Sequence, residues 1–203
     1  MHHKTPVKAI LLDIGNVLLK INWDKPLTHA NIPVEKIKEF YSIGHWPIFH
    51  DYEKGHISRE EFRTKLNSKF KINLTQSEFE KTWCACFDGE VDGVASLLND
   101  IGKKIPLYTL SNTNELHFDF FKDFALFRPF KDLLASHTFH CRKPDELIYK
   151  KAINHLKVKA EEILFIDDLE ENLETARKLG IKAEHCFQSG LRFREILIMH
   201  HLL

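Results

Sequence analysis

The sequence lacks a net charge, a long apolar run and paired cysteine motifs. Lys and Arg together number 29, as do Asp and Glu, so there is no basic excess of the kind that binds nucleic acid or anionic membranes. No apolar run approaches the roughly 20 residues of a membrane-spanning helix, and the N-terminal MHHKTP lacks the apolar segment of a secretory signal. We therefore expect a soluble, cytoplasmic protein with no nucleic-acid or membrane partner.

Cysteine is scarce, with four residues in 203. Cys84, Cys86, Cys141 and Cys186 show neither the density of a disulfide scaffold nor the paired spacing of a zinc site. Cys84 and Cys86 fall in a predicted helix, where residues two apart point to different faces. We expect reduced, structural thiols.

Short apolar runs alternate with helical patterns along most of the chain, which is typical of a parallel sheet wrapped by helices. The predicted strands are residues 7–12, 105–110, 135–138, 163–166 and 181–186. Polar residues follow three of them, namely Asp13, Ser111 with Asn112, and Asp167 with Asp168. Because ligands of open parallel sheets bind beyond the carboxyl ends of the strands, these polar groups should share one crevice.

Two helices are predicted from apolar spacing. One has the stripe Leu169, Leu173, Ala176 and Leu179 and ends at Gly180. The other has Pro144 in its first turn and the stripe Leu147, Ile148, Ala152, Ile153 and Leu156. Both stripes are expected to pack against the sheet.

Residues 21–88 interrupt this alternation with amphipathic helical segments and no convincing strand. Ser58, three residues before Glu61, predicts a capping box at a helix start. Since the segment follows the first strand, we predict a small helical cap over the crevice. The predicted division is an α/β core over residues 1–20 and 89–203, with the cap over 21–88.

Four segments carry the chemistry: LLDIGNV, LSNTN, RKPDELIY and FIDDLEEN. Together and in this order they resemble the motifs of the haloacid dehalogenase-like (HAD) superfamily, in the branch with a helical cap after the first strand. DIGNV with LSNTN is most similar to bacterial glucose-1-phosphate phosphatases and the N-terminal phosphatase domain of epoxide hydrolases. The resemblance implies a Rossmann-like α/β core and a magnesium-dependent phosphatase that works through an aspartyl-phosphate.

Asp13 would be the nucleophile, because a carboxylate is ionised at neutral pH and divides the displacement into two easier steps. A phosphate dianion must then approach Asp13 and at least one more carboxylate. At about 4 Å and an effective dielectric near 20, each such pair repels by roughly 4 kcal/mol. The site therefore needs cations, and Lys143 and a Mg²⁺ would supply them.

The family pattern implies three ligands for the Mg²⁺: the Asp13 carboxylate, the backbone carbonyl of Gly15, and Asp168. Asp167 and Asn172 would orient Asp168 and bound waters. Helix capping is the alternative for the two acids, and it accounts for one carboxylate better than for both.

Ser111 and Asn112 would hold phosphate oxygens through hydroxyl, amide and backbone N–H donors at the start of a helix. Capping of that helix is the alternative, and both roles are compatible. In the predicted cap, His45, His50 and Trp46 are candidates for substrate selection, with packing inside the cap as the alternative for Trp46 and Phe49.

Most phosphatases of the superfamily carry an Asp at the position of Gly15, and that Asp protonates the leaving group. A positioned acid contributes about 10² to 10⁴-fold. Three outcomes are open. The leaving group is acidic, as an anomeric hydroxyl is; the cap supplies the proton from His45, His50 or His56; or the protein binds a ligand without hydrolysing it. The glucose-1-phosphate branch also has Gly here, which favours the first outcome.

Six phenylalanines cluster late in the chain, at positions 118, 120, 121, 124, 127 and 130. We expect a core beneath the sheet, with a homodimer patch as the alternative. The sequence is compatible with a monomer or a homodimer.

The sequence thus predicts a Mg²⁺-dependent phosphatase acting on a small phosphorylated metabolite such as a sugar phosphate. One rival is a non-catalytic binding protein of the same fold, suggested by Gly15. A hydrolase of carbon–halogen bonds needs no magnesium site and leaves Asp167 and Asp168 unexplained. A dinucleotide-binding oxidoreductase lacks its G-x-G-x-x-G after the first strand.

Overall fold

The computed structural model describes residues 5–203. Residues 1–4, which the sequence prediction includes in the α/β core, lie outside this range. The strands are β1 Ala9–Leu12, β2 Leu19–Ile21, β3 Phe87–Glu90, β4 Leu107–Ser111, β5 Phe130–Ala135, β6 Ile163–Asp167 and β7 Lys182–His185. The helices are α1 Asp24–His29, α2 Ile37–Tyr41, α3 Pro47–Glu53, α4 Arg59–Phe70, α5 Gln76–Cys84, α6 Val94–Ile101, α7 Glu115–Phe121, α8 Ser136–Phe139, α9 Glu146–Leu156, α10 Glu170–Lys178 and α11 Gly190–Met199.

Five of the strands form one parallel sheet in the order β5-β4-β1-β6-β7. At its centre Ile10 of β1 lies opposite Leu107 of β4 on one side and Leu164 of β6 on the other. The chain builds the sheet outwards from β1 in one direction and then in the other, so the strand order reverses beside β1. This arrangement confirms the predicted α/β fold with a Rossmann-like parallel sheet.

The apolar run before Asp13 is the central strand of this sheet. Ile10 and Leu12 point into a core cluster that α6 and α11 share, whereas Ala9 and Leu11 point into a second cluster with α9 and α10. A parallel strand covered on both faces needs apolar residues at every position. Asp13 is therefore the first residue of the run that lies beyond the strand.

The strand predicted over 135–138 is wrong in position. The structure has β5 at Phe130–Ala135, and Ser136–Phe139 form the short helix α8. β5 is an edge strand, and Lys131 and Asp132 are exposed on it. An edge strand carries polar residues that a central strand cannot, so its sequence lacks the continuous apolar run that marks β1.

The stripe predicted for α10 needs one correction. Leu173 and Ala176 are buried as expected, and Gly180, with φ +85°, follows the helix end as predicted. Leu169, however, is 49% exposed. It is the residue before the helix, with extended backbone, so helical spacing does not apply to it.

The predicted start of α9 is also wrong. Pro144 lies before the helix, and the Asp145 side chain caps it by accepting from the N–H of Leu147. Leu147 in the first turn is 46% exposed, whereas Tyr149, which was left out of the stripe, is fully buried and donates its hydroxyl to the carbonyl of Asn172.

The insertion after β1 is largely helical, with α1 to α5 between β2 and β3. These two strands of three and four residues pair antiparallel, and they are too short to produce a recognisable strand pattern in the sequence. Trp83 is at the centre of the helical cluster, with ring centroids 5.1 Å from Phe62 and 5.4 Å from Trp23. The predicted helix start at Ser58 is confirmed, and its hydroxyl accepts from the N–H of Glu61, which is one of the two hydrogen bonds of the predicted capping box. The complete capping box is at the start of α5, between Thr75 and Glu78.

The phenylalanine-rich segment mainly builds the core, as expected. Phe121 and Phe127 are buried, and Phe118, Phe124 and Phe130 pack against the same cluster. Phe120 is 44% exposed. The four cysteines are all buried and free, and none of the helices within residues 5–203 is long and apolar enough to cross a membrane.

We predict that Gly55→Ala destabilises the fold. Gly55 has φ +66°, and a Cβ there would lie 2.6 Å from the backbone oxygen of His137. Strain in the left-handed region and displacement of packed backbone should together lower the free energy of unfolding by about 2–3 kcal/mol. Urea denaturation measures this. The matched control is Gly44→Ala, whose Cβ would meet nothing within 4 Å; an equal loss in both variants would contradict the prediction.

Candidate active site

The carboxyl ends of β1, β4 and β6 open into a cavity of about 290 Å³ beneath the helical insertion. Residues that the sequence analysis singled out from four separate segments line it together. They are Asp13, Gly15, Ser111, Asn112, Lys143, Asp168 and Asn172. The predicted crevice at the ends of the strands is thus present.

Lys143 is the buried cation of this cavity, with its side chain 1% exposed. Its Nζ lies 2.8 Å from Asp13 Oδ1 and 2.5 Å from Asp167 Oδ2. Burial by itself lowers the pKa of Lys143, but attraction to the two carboxylates outweighs it, and the pKa is raised overall. The ammonium group therefore remains charged between its two partners.

Lys143 is the cation beside Asp13, and the carboxylates of Asp167 and Asp168 lie close to the same side chain. Burial raises the pKa of Asp13 to about 7, and repulsion from Asp167 and Asp168 adds to this, while Lys143 lowers the pKa. A further positive charge beside Asp13 would favour its ionised form.

The two consecutive acids after β6 have different surroundings. Asp167 is fully buried, and its Oδ1 accepts from the N–H of Leu169 at 2.8 Å and from Asn172 Nδ2 at 2.9 Å. With Oδ2 on Lys143, both of its oxygens are engaged. Asp168 is partly exposed in the cavity, and its Oδ2 accepts from Asn16 Nδ2 at 2.9 Å. Burial raises the pKa of Asp168, against the effect of this hydrogen bond.

Asn112 holds Lys143 in place. Its Oδ1 accepts from the N–H of Lys143 at 2.8 Å, and its Nδ2 donates to the carbonyl of the same residue at 2.9 Å. The amide expected to bind phosphate is therefore engaged by the protein backbone. The predicted phosphate contact of Asn112 rests on its backbone N–H, beside the buried Ser111.

His45, Trp46, His50 and His56 do not line the cavity, unlike what was expected of this segment. Phe49 and Glu53, four residues apart on α3, face the cavity instead. The intervening positions of the segment point elsewhere. Trp46 packs on Phe62 with ring centroids 5.9 Å apart, His50 bonds the carbonyl of Gly44, and His56 stacks on His140.

An ion pair between the insertion and the core was missed by the sequence analysis. Arg142 Nε donates to Glu53 Oε2 at 2.9 Å, and both residues line the cavity. Burial raises the pKa of Glu53 to about 7 although Arg142 lowers it. Arg142 directly precedes Lys143 in the sequence, so its position next to a predicted site residue could have identified Arg142.

Asn16 and His117 were also missed. Asn16 has φ +55° and lies within the quoted DIGNV motif. His117 is buried, its Nε2 donates to the carbonyl of Trp83, and burial lowers its pKa to about 4. His117 lies three residues after Asn114, the residue that caps α7, and it is on the buried face of that helix. Its position relative to the cap was the signal that could have identified it.

The family model for haloacid dehalogenase-like hydrolases matches residues 7–180. The chain belongs to this family. The match confirms the predicted superfamily, and the specific phosphatase branch remains a prediction. Two solved HAD structures are similar over nearly the whole chain. A predicted HAD-like hydrolase from Porphyromonas gingivalis is 26% identical, with a TM-score of 0.83 over 95% of this chain and 97% of that one.

A HAD family enzyme from Bacteroides thetaiotaomicron, in complex with magnesium and inorganic phosphate, is 26% identical with a TM-score of 0.78. The alignment covers 88% of this chain and 93% of that one. These likenesses support the hydrolase fold over both the sheet and the insertion.

Three curated relatives of this HAD-like hydrolase bear names of activities. Drimenol cyclase of Aspergillus calidoustus is 25% identical over 87% of this chain, which spans only 33% of that protein's length. D-ribitol-5-phosphate phosphatase of B. thetaiotaomicron is 28% identical over 87% of this chain and 90% of that protein. A sesquiterpene phosphatase of Aspergillus oryzae is 25% identical over 91% of this chain and 92% of that protein.

Proposed function

We propose that this hydrolase is a Mg²⁺-dependent phosphomonoesterase that forms an aspartyl-phosphate on Asp13. The observation that carries the proposal is the Lys143 ammonium, buried 2.8 Å from Asp13 Oδ1 and beside a cluster of acids. A phosphate dianion can approach a carboxylate only where positive charge offsets the repulsion. Two relatives named as phosphatases support the same reaction class.

The residues of the cavity fit a magnesium ion. Oxygens of Asp13, Asp167 and Asp168 lie within 4.8 Å of one another, and hard carboxylate oxygens are the ligands that Mg²⁺ prefers. Within residues 5–203, the buried Asn172 Oδ1 has no hydrogen-bond partner, so a water held by the ion would satisfy it. Asp13, the Gly15 carbonyl and Asp168 would hold the ion, since Asp167 is already engaged by Lys143 and Asn172.

The reaction then divides into two displacements. An Asp13 oxygen attacks phosphorus, the bond to the leaving oxygen breaks, and the electron pair departs with that oxygen. A water molecule next attacks the same phosphorus, which releases phosphate and restores the carboxylate. Mg²⁺, when bound, offsets charge on the phosphoryl oxygens. Lys143 remains in place through both steps, because Asn112 fixes its backbone from both sides.

A small phosphorylated metabolite fits the size of the cavity, about 290 Å³, which lies near the lower end for small-molecule sites. A sugar phosphate is the substrate predicted from the sequence. The similarity to a D-ribitol-5-phosphate phosphatase favours a polyol ester, and the similarity to a sesquiterpene phosphatase favours an apolar one.

Phosphate release from a panel of monoesters, with Mg²⁺ and with EDTA, tests the proposal. We expect release with Mg²⁺ and at least a 100-fold loss with EDTA. Ligand binding without release of phosphate from any compound would favour the non-catalytic rival that Gly15 suggests. Halide release from 2-haloacids in EDTA would favour the dehalogenase rival.

We predict that Asn16→Ala weakens Mg²⁺ binding by about 10–100-fold, the usual cost of losing a group that orients a metal ligand. The reason is the 2.9 Å hydrogen bond from Asn16 Nδ2 to Asp168 Oδ2. Isothermal titration calorimetry with Mg²⁺ measures the change. Asn99→Ala on the exposed face of α6 is the control, and equal Kd values in the two variants would contradict the role of Asn16.

A further inference from the structure

An apolar side chain borders the place of the missing proton donor. A Cβ on Gly15 would lie 3.9 Å from Asp13 Oδ2 and 3.4 Å from Ile21 Cγ1, both ordinary contact distances. The backbone there would thus accept a side chain, but the chain has none. Apart from its chain neighbours, the atoms of residues 5–203 that lie within 4 Å of this Cβ position are Ile21 Cγ1 and Asp13 Oδ2, and neither belongs to a second proton donor.

The other titratable groups of the cavity are engaged elsewhere. The Tyr41 hydroxyl donates to Asp24 Oδ1 at 2.5 Å, and the Glu53 carboxylate accepts from Arg142. Burial lowers the pKa of His117 to about 4, so at neutral pH the ring is uncharged, and its one N–H proton is donated from Nε2 to the carbonyl of Trp83.

Cys86 and Lys143 complete this set. Cys86 Sγ packs 3.8 Å from His117 Nε2, and burial raises the pKa of its thiol. Lys143 already shares its ammonium between Asp13 and Asp167. Among residues 5–203 the lining therefore presents no titratable side chain that is both protonated and unengaged. The hydroxyls of Ser111 and Thr113 also line the cavity, but an aliphatic hydroxyl is too weakly acidic to serve as a general acid, so the leaving oxygen departs as an anion.

The wall that the insertion contributes is apolar and mostly aromatic. It consists of Ile21, Trp23, Phe40, Ile43, Phe49 and Phe87. The ionisable oxygens of this wall belong to Tyr41 and Glu53, each engaged as described above, and the Trp23 indole N–H and the Cys86 thiol are its other polar side-chain groups. A sugar or polyol would bury several hydroxyls here without partners, which is costly, whereas an aromatic ring would pack edge or face against these side chains.

We propose that the substrate is an aryl phosphate, the monoester of a small phenol. This inference rests on the proposed phosphatase function and names its substrate class. A phenol has a pKa of about 10, as Tyr does. An alcohol has a pKa near that of water, about 15.7, so its anion is a much more basic and poorer leaving group than a phenolate. An Asp13 oxygen bonds to phosphorus, the P–O(aryl) bond breaks, and the phenolate leaves with the electron pair and takes a proton from solvent. Water then hydrolyses the aspartyl-phosphate.

Four esters test the proposal by their kcat/KM with Mg²⁺. Phenyl phosphate and cyclohexyl phosphate have rings of similar size but leaving groups of very different acidity. Glucose 1-phosphate and D-ribitol 5-phosphate present hydroxyls to the same wall. We expect kcat/KM for phenyl phosphate to be at least about 100-fold higher than for cyclohexyl phosphate, because a general acid typically contributes that much to the departure of a basic leaving group. We also expect it to be at least about 10-fold higher than kcat/KM for either polar ester.

Gly15→Asp installs a proton donor at a position where the backbone accepts a Cβ at ordinary contact distances. We expect the preference for phenyl over cyclohexyl phosphate to narrow at least 10-fold, because only the basic leaving group gains from protonation. Gly15→Asn is the matched control, of the same size but without an acidic proton, and it should leave the preference unchanged.

Glu53 is the other side chain that could donate a proton to the leaving group, and Glu53→Gln tests this role. A loss confined to cyclohexyl phosphate would identify Glu53 as the general acid and overturn the inference; an equal effect on both esters supports it. Trp23→Ala should raise KM for phenyl phosphate about 10-fold with little change for glucose 1-phosphate, and Phe87→Ala replaces it if that variant does not fold.

The outcomes separate the two claims. A higher kcat/KM for glucose 1-phosphate or ribitol 5-phosphate than for phenyl phosphate overturns the aryl inference and leaves the phosphatase function standing. Equal values for phenyl and cyclohexyl phosphate overturn it as well. No phosphate release from any of the four esters contradicts the proposed function itself.

Discussion

Asp13→Asn is expected to reduce Mg²⁺-dependent phosphate release by about 10⁴-fold or more, the usual scale for loss of a nucleophile. The amide keeps the shape of the side chain but does not attack phosphorus, so neither displacement can begin. Steady-state phosphate release from the best ester of the panel measures the loss. Activity within about 10-fold of wild type would remove Asp13 as the nucleophile.

The same variant should be more stable than wild type at high pH, which excludes unfolding as the cause of its inactivity. Burial raises the pKa of Asp13 from 3.8 to about 7, so the folded protein binds this proton more tightly than the unfolded chain. The native state therefore loses stability as pH rises from about 4 to 7. Without added Mg²⁺ we expect Asp13→Asn to raise Tm near pH 8, by about 2–4 °C per kcal/mol, with little change near pH 4. A lower Tm at both pH values would contradict this.

Lys143→Met is expected to have the second largest effect, on activity and stability together. Asp13 and Asp167 would lose the ammonium that lies 2.8 and 2.5 Å from them. Breaking a buried ion pair from one side costs about 3–5 kcal/mol, and we expect at least a 10³-fold loss of phosphate release, since a preorganised charge is lost from the transition state. Urea denaturation and phosphate release measure the two effects.

Two comparisons sharpen the Lys143 prediction. Lys150→Met removes an exposed ammonium paired with Glu146 on α9, and it should change the free energy of unfolding by less than about 1 kcal/mol. The double variant of Lys143→Met with Asp13→Asn should regain more stability over Lys143→Met than Asp13→Asn alone adds to wild type, because one of the two stranded carboxylates is neutralised. Additive changes in the free energy of unfolding would mean that the two side chains do not interact.

The sequence was most informative where both faces of an element are buried. The continuous apolar run of β1 predicted a strand, and with it the position of Asp13 beyond its carboxyl end. The same logic brought Ser111 and Asp168 to one cavity, because they lie at the carboxyl ends of β4 and β6. Lys143 lies in the loop between α8 and α9, so the sheet alone does not place it, and the family motif was its signal.

The sequence was least informative at edges and on the insertion. β5 at the sheet edge tolerates Lys131 and Asp132, so its strand has no apolar signature. Trp46 and Phe49 are equally apolar in the sequence, and only the turn of α3 decides that Phe49 faces the cavity while Trp46 packs on Phe62. The orientation of a short helix depends on tertiary packing, which local pattern does not encode.

Contacts between segments that are distant in the chain could not be predicted from the sequence either. The Asn112 amide is suited to phosphate as well as to a peptide group, and its two hydrogen bonds to Lys143 become visible only once β4 and the segment before α9 are adjacent. The pair of Glu53 with Arg142 joins residues 89 positions apart. Neither spacing follows a periodic rule.

The central claim is that Asp13, Asp168 and Lys143 surround one divalent ion and one phosphoryl group. Beryllofluoride tests it most directly, because it binds an aspartate carboxylate as a phosphoryl mimic and needs no knowledge of the substrate. Fluorine NMR should show protein-bound resonances for wild type with Mg²⁺, and none with EDTA, in Asp13→Asn or in Asp168→Asn. Bound resonances of equal intensity in Asp13→Asn, or their absence in wild type with saturating Mg²⁺, would contradict the account.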